Sequence, residues 1–413
     1  MNTIKVPQLA WYEPNELVLP LPDSWQVEVC NMAGYNRPAL KSGEIEAAIR
    51  NPIGMPPIRE LAKGRREVVI IFDDMTRPTR IAGIVPSVIE ELTEAGIADS
   101  SIRFIMALGA HGARDRRDFV KKLGEDTLAR FPVYNHNPFA NCTYVGTTTT
   151  FETKVCVNEE VAKCDLKIAI GSVVPHPMNG FGGGGKIILP GVTSFETTMH
   201  NHQEFQKMVR ERGRSITGMG VFGNNPLVDD IDEAATLAGL DMLIDCLVNM
   251  WGETVAVFAG AMKPAYEAAV REAKNHCLTP RVEDKDIAIV NTFAKANEAL
   301  IGCTVAYPAL KPENGDIVLI ANTPEGQATH YLMGPFGNTS GGPLWRKPRV
   351  PRHVNRLIVY TEYPDLAGQG WFESSDRVIF LHKWDEVIKL LQRNHGRDAK
   401  VVVYPSADIQ YCA

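Results

Sequence analysis

The sequence predicts an α/β protein of two domains with largely parallel sheets. Three observations carry this. Short β-branched runs recur along the chain, most are continuously apolar, and several lead through polar or glycine-bearing loops into helical periodicity. Uninterrupted apolar strands are expected where helices cover both faces of a sheet, and strand–helix alternation is the signature of parallel pairing. With 413 residues the chain exceeds one ordinary core, which sets two domains as the starting expectation.

The elements follow in order. EVVIIFDD (67–74) reads as the first clear strand and IVPSVIEELTEAG (84–96) as its helix. IRFIMALGAHG (102–112) leads into RDRRDFVKKLG (114–124), and DLKIAIGSVV (165–174) leads into a glycine-rich segment. The helical AYEAAVREAKNHC (265–277) is broken by LTPRVEDKD (278–286). Strands resume at KDIAIVNTF (285–293), GDIVLIANT (315–323), RLIVYTE (356–362), DRVIFLH (376–382) and KVVVYP (400–405). The boundary is therefore placed near 280: residues 1–278 as an N-terminal cofactor-binding and catalytic domain, residues 279–413 as a C-terminal α/β domain, with the last residues packing back on the first. GPFGNTSGGPLWRKPRVP (334–351) reads as an exposed loop.

Composition narrows the function. Hydrophobic residues make up 45% and charged residues 22%, as in a soluble globular protein, and a net charge of −6 argues against a nucleic-acid partner. No apolar run approaches a membrane span, and MNTIKVPQLAWYEPNELVLPLPD lacks the layout of a signal peptide. The eight cysteines have no CxxC pair, which suits reduced thiols and a cytoplasmic location.

Ligands of open α/β sheets bind beyond the carboxyl ends of the strands. That places Asp73, Asp74, Arg77, His111 and His176 on one rim. The segment HPMNGFGGGGKIILPGVTSFETTMHNH (176–202) satisfies G-x-x-x-x-G-K through Lys186. Ile187 stands where a phosphate loop needs Ser or Thr, and Pro190–Gly191 stops a long helix, so a nucleoside triphosphatase is excluded. Gly182, Gly183, Gly184 and Gly185 still allow backbone amides to approach an anion, which favours a phosphorylated ligand with Lys186 beside it as a charge partner or covalent attachment point. His111 and His176 end strands on the same rim, where acid/base groups are useful. His200 and His202 point in different directions on a helix, so one of them faces a site. A metal held by a single histidine needs most of its donors from a cofactor. Asp74 and Arg77 in DDMTRPTR suit polar or anionic groups. His136, His276, His330, His353, His382 and His395 are read as structural or solvent-exposed.

In this order and spacing, DDMTRPTR, GAHG, HPMNGFGGGGKIILPG and HNH resemble the nickel-dependent lactate racemase family. RNPIGMPPIRELA (50–62) and GNNPLVDDIDEAATLAGLDMLID (223–245) extend the likeness, which covers most of the chain and is strong through residue 270. The resemblance implies a nickel-pincer nucleotide, a pyridinium mononucleotide with two sulfur donors and a carbon–nickel bond, lying between the domains. It maps the thioamide-linked lysine to Lys186, the protein's nickel ligand to His202, and the paired acid/base histidines to His111 and His176. Asp74 and Arg77 match the segment holding polar groups of cofactor and substrate. One histidine is expected to take the hydroxyl proton of a 2-hydroxy acid while hydride moves to the cofactor, and hydride then returns to the other face of the keto acid. Proteins that make the cofactor are implied partners, and the sequence leaves a homo-oligomer open without giving the oligomeric state.

The family usually carries G-Y-P-K-D after the C-terminal domain's first strand, then a Gln and a Lys that contact substrate. Here the segment reads NTFAKANEALIGCTVAY (291–307), with Lys295 matching the first lysine and Ile301 and Thr304 at the later positions. Asn297 and Glu298 are the nearest polar substitutes, so Lys295 and Asn297 are taken as substrate contacts and a 2-hydroxy acid other than lactate is expected. The alternatives are another 2-hydroxy acid reaction with the same cofactor, and a non-catalytic cofactor-binding protein.

Overall fold

A computed structural model of the chain describes residues 2–334 and 349–413. Most of the loop expected at 334–351 lies outside them. The architecture is mixed α/β with largely parallel sheets, and the chain divides into two compact units. One holds residues 37–274; the other combines residues 1–36 with 275–413. The chain thus changes unit at 274/275, a few residues before the expected break. The larger difference is that the first 36 residues group with the C-terminal unit.

The unit of residues 37–274 is built on a six-stranded sheet. Its order is Thr254–Gly260, Met242–Val248, Leu166–Ser172, Val68–Asp73, Ile102–Ala107 and Val133–Asn135, parallel except at the first edge. Val68–Asp73 and Leu166–Ser172 are buried at every position, which is why they read as continuous apolar runs. Ile70, Phe72, Phe104, Met106, Ile168, Ile170 and Ile244 pack with Val85, Val88, Ile89 and Leu92 of the Val85–Glu94 helix in one core. The Met242–Val248 strand, part of the resembling segment, joins this sheet beside Leu166–Ser172.

In the six-stranded sheet of the other unit all strands run parallel, in the order Val378–Leu381, Val354–Tyr360, Gly315–Ile320, Ile287–Asn291, Lys400–Tyr404 and Gln26–Val29. Successive residues feed opposite cores, as a pleat dictates. Ala288, Val290, Ile317, Leu319, Val402 and Tyr404 belong to one, and Ile287, Ile289, Val318, Ile320, Val401 and Val403 to the other. The second core is closed by the N-terminal hairpin through Ile4, Val6, Leu19 and Leu21, and by the Trp384–His395 helix. This explains the assignment of residues 1–36: they supply an edge strand and a cover that the C-terminal segment lacks. Tyr411–Cys412 pairs with Leu278–Thr279, so the last residues close within this unit. Among the described residues, no helix is long and apolar enough to cross a membrane.

One buried ion pair braces the end of the central strand of the first unit. Lys122, fully buried on the Arg116–Leu123 helix, donates to Asp73 Oδ1 at 2.7 Å and to the carbonyl of Arg77 at 2.8 Å. Thr79 Oγ1 donates to Asp73 Oδ2 at 2.5 Å. Burial raises the Asp73 carboxyl and lowers the Lys122 ammonium from their ordinary pKa values. Removing one partner strands the other in the core. Lys122→Met is accordingly expected to destabilise the protein by about 3–5 kcal/mol in urea unfolding, and Lys122→Met with Asp73→Asn by clearly less.

Candidate functional site

The candidate residues of residues 37–274 gather at the carboxyl ends of three adjacent strands. Asp73 ends Val68–Asp73 and Asp74 follows it; His111 follows Ile102–Ala107 on one side and His176 follows Leu166–Ser172 on the other.

Asp74 and His111 form a dyad. Asp74 Oδ2 lies 2.7 Å from His111 Nδ1, and its Oδ1 accepts from the amide of Thr76 at 3.0 Å and from Thr76 Oγ1 at 2.6 Å. Burial pushes the Asp74 carboxyl up, but His111, Arg114 and Arg77 outweigh it and hold it well below the usual carboxylate range. An ionised Asp74 accepts the Nδ1–H of His111 and fixes the ring. Arg77 is half-buried, with Nη1 bonded to the carbonyl and Oγ1 of Thr76.

His176 and Lys186 meet directly. Lys186 Nζ lies 3.0 Å from His176 Nε2 and 3.4 Å from Asn179 Oδ1. His176 Nδ1 accepts from the amides of Met178 and Asn179, both at 3.2 Å. The glycines before Lys186 are glycines for packing reasons. A Cβ on Gly184, at φ +61°, would meet the Tyr266 ring at 2.7 Å, and one on Gly183 would meet Val173 at 2.7 Å and Asp245 Oδ2 at 2.8 Å. The amide of Gly182 donates to the carbonyl of Val174 and that of Gly184 to Asp245 Oδ2. These two amides are spent inside the fold, which narrows the expected anion contact to the other two glycines, Gly183 and Gly185.

His202 lies on the Phe195–Arg212 helix, whose start is capped by Ser194 accepting from the amide of Thr197. His202 is buried, and its Nδ1 lies 2.9 Å from the carbonyl of Thr198 one turn back. Burial is the main cause that lowers its pKa to about 4. The ring is therefore neutral, with its proton on Nδ1 and the Nε2 lone pair available, the state a metal ligand requires. His200 turns elsewhere, with Nδ1 3.2 Å from Thr153 Oγ1. Thr153 also bonds Asp230, which accepts from Thr148, the amide of Phe151 and Asn201. That network pins the helix carrying His202. Among the described residues no group of three or more His, Cys, Asp or Glu could hold a metal ion.

Lys295, Asn297 and Glu298 belong to the other unit. Lys295 is buried and ion-paired with Glu298 at 2.8 Å, and its amide donates to Asp408 Oδ2. The carbonyl of Asn297 accepts from the amide of Ala328. Of the six histidines set aside, His136 is buried between Thr193 and Asn158, and His395 is paired with Asp316.

Residues 12–213 match the lactate racemase N-terminal domain family. A lactate racemase from Lactiplantibacillus plantarum is 29% identical over 305 residues, 72% of this chain and 70% of that protein. A second, from Thermoanaerobacterium thermosaccharolyticum, is 28% identical over 394 residues, 93% of this chain and 87% of that one. Over most of its length the chain is similar to lactate racemases, and the match to the N-terminal domain family covers residues 12–213. These relatives indicate an isomerase of the racemase type. The solved lactate racemase apoprotein from T. thermosaccharolyticum shares the fold, with a TM-score of 0.75 at 22% identity over the whole of both chains. A Thermotoga maritima protein shares it at TM-score 0.66 and 16% identity, over 91% of this chain and 99% of that one.

The family's nickel-pincer nucleotide is compatible with the side chains present. His202 offers a neutral Nε2 donor, and Lys186 offers an amine at the end of the glycine turn. Sequence reasoning overlooked Asp245, although an acidic residue inside MLIDCLV is a visible anomaly. It is fully buried, and register places it opposite Gly171, with Asp73 on the far side. Burial, with Asp73 adding repulsion, raises the Asp245 carboxyl to about 7. A raised carboxyl keeps its proton in the fold after the unfolded chain has lost it, so stability falls as pH climbs from about 4 towards 7. Asp245→Asn removes this cost. Its Tm is expected about 5 °C above wild type at pH 8, with the gap closing at pH 5, by differential scanning calorimetry.

Proposed function

We propose that this chain racemises or epimerises a 2-hydroxy acid with a nickel-pincer nucleotide held at Lys186 and His202. The observation that carries the reading is the conjunction, on one sheet rim, of the Asp74–His111 dyad and the His176–Lys186 contact. When bound, the cofactor supplies a hydride acceptor and donor. The chain's residues supply the rest.

His111, oriented by ionised Asp74, presents Nε2 as the base that takes the substrate's hydroxyl proton or returns it. His176 is the partner base for the opposite enantiomer, since inversion exchanges the side from which the hydroxyl must be served. Lys186 is the tether, His202 the protein's metal donor through Nε2, and Arg77 a charge partner for an anionic group. Gly183 and Gly185 are proposed to lie against the nucleotide. Lys295 and Asn297 are proposed as substrate contacts. The expectation that lactate is not the substrate gains no support from relatives named lactate racemases, so lactate belongs in the assay panel.

Coexpression with the cofactor-making proteins should give an intact-mass adduct that maps to Lys186 and is absent in Lys186→Arg. A clean mass under loading that works for a known lactate racemase would sink the cofactor assignment. Chiral chromatography of a hydroxy-acid panel should show loss of optical purity without net keto acid. Accumulating keto acid would instead indicate another 2-hydroxy acid reaction, and no turnover with the adduct present a cofactor-binding protein.

His111→Ala and His176→Ala should each lower kcat by at least about a hundredfold. Asp74→Asn should lower kcat by a similar factor with KM little changed, because it leaves the ring in place and loses its charge partner.

A further inference from the structure

We propose that His176 holds Lys186 as an uncharged amine, so that the lysine is a ready nucleophile at neutral pH before any ligand is attached. That Lys186 is the attachment point rests on the reading above; the state of its amine rests on hydrogen-bond bookkeeping within this chain.

Two backbone N–H groups, of Met178 and Asn179, point at His176 Nδ1. A nitrogen that accepts must carry its lone pair in the ring plane, so the proton of the neutral imidazole sits on Nε2. Nε2 is the atom 3.0 Å from Lys186 Nζ. With a proton on Nε2, that contact is a hydrogen bond only if Nζ accepts. An ammonium has three donors and no lone pair. A charged lysine would therefore set N–H against N–H, or force the other tautomer and turn an Nδ1 proton towards two backbone amides. The neutral amine satisfies each contact, accepting from Nε2–H while donating to Asn179 Oδ1 at 3.4 Å.

The titratable surroundings agree. From the Phe195–Arg212 helix the nearby ring is the buried His202. From the Met242–Val248 strand and the Pro226–Leu237 helix, Asp245 and Asp232 lie behind the glycine turn. Asp245 is bonded to the amide of Gly184, Asp232 stands against Gly185, and burial raises both to about 7. Burial disfavours the charged form of both carboxyls, which weakens the pull on an ammonium.

The test uses the unloaded chain and a trace of acetic anhydride, which acylates only neutral amines and releases acetate and a proton. Peptide mass spectrometry would follow Lys186 and exposed Lys383 from about pH 6 to 10. Lys186 is expected to reach half-maximal reactivity at least about one pH unit below Lys383, which makes its unprotonated fraction about tenfold larger at neutral pH. His176→Gln offers an accepting carbonyl and should return the midpoint to that of Lys383. Continued protection of buried Lys122 reports an intact fold, and His176→Asn replaces the variant if that protection is lost. A wild-type Lys186 that titrates with Lys383 overturns the proposal. So does an early midpoint that survives both substitutions, since burial alone would then explain it. An early midpoint with no adduct after cofactor loading leaves this inference standing and removes the cofactor reading.

Discussion

Two consecutive carboxylates at the end of the Val68–Asp73 strand set the arrangement on which the rest of the site depends. Asp73 is committed to Lys122 and Thr79, anchoring the strand end to the Arg116–Leu123 helix. Asp74, one residue on, is committed to His111 and Thr76. A low-dielectric interior tolerates such charges only when each is matched. The chain between them and the two flanking strand ends is therefore held in one conformation, and the histidines that follow those strands inherit fixed positions.

The same economy governs the glycine turn. Its backbone is pressed against Tyr266, Val173 and Ile231, and the Gly184 amide is tied to Asp245. The glycines serve close packing as much as ligand approach, and the outcome is that Lys186 emerges beside His176. Asp230 does the corresponding work for the Phe195–Arg212 helix, gathering Thr148, Thr153 and Asn201 around the turn that carries His202. Buried acids behind the site orient the groups in front of it, and the pKa of Asp245 ties that support to pH.

Much of this was legible in the sequence because local rules decide it. Continuous apolar runs in EVVIIFDD and DLKIAIGSVV arise from burial on both faces, and helical spacing separates His200 from His202 whatever the surroundings. The rim residues Asp74, His111 and His176 could be placed because parallel strands put their carboxyl ends on one side. Asp245 was missed because it sits in an apolar strand that was quoted only for its family likeness. The inward use of the Gly182 and Gly184 amides was missed because a glycine run reads alike whether its amides face a ligand or a neighbouring strand.

By itself, then, the sequence determined the α/β class and the rim on which the candidate residues gather. These follow from side-chain periodicity and the direction of parallel strands, both properties of contiguous chain. Tertiary structure alone decided that residues 1–36 complete the C-terminal unit, because an edge strand's partner is chosen by which sheet has an open edge and an uncovered face. It alone decided that Asp74 belongs to His111 and that His176 belongs to Lys186, 37 and 10 residues apart. Protonation states follow from those pairings, since a lone pair or a charge acquires its meaning only from the atom placed opposite it.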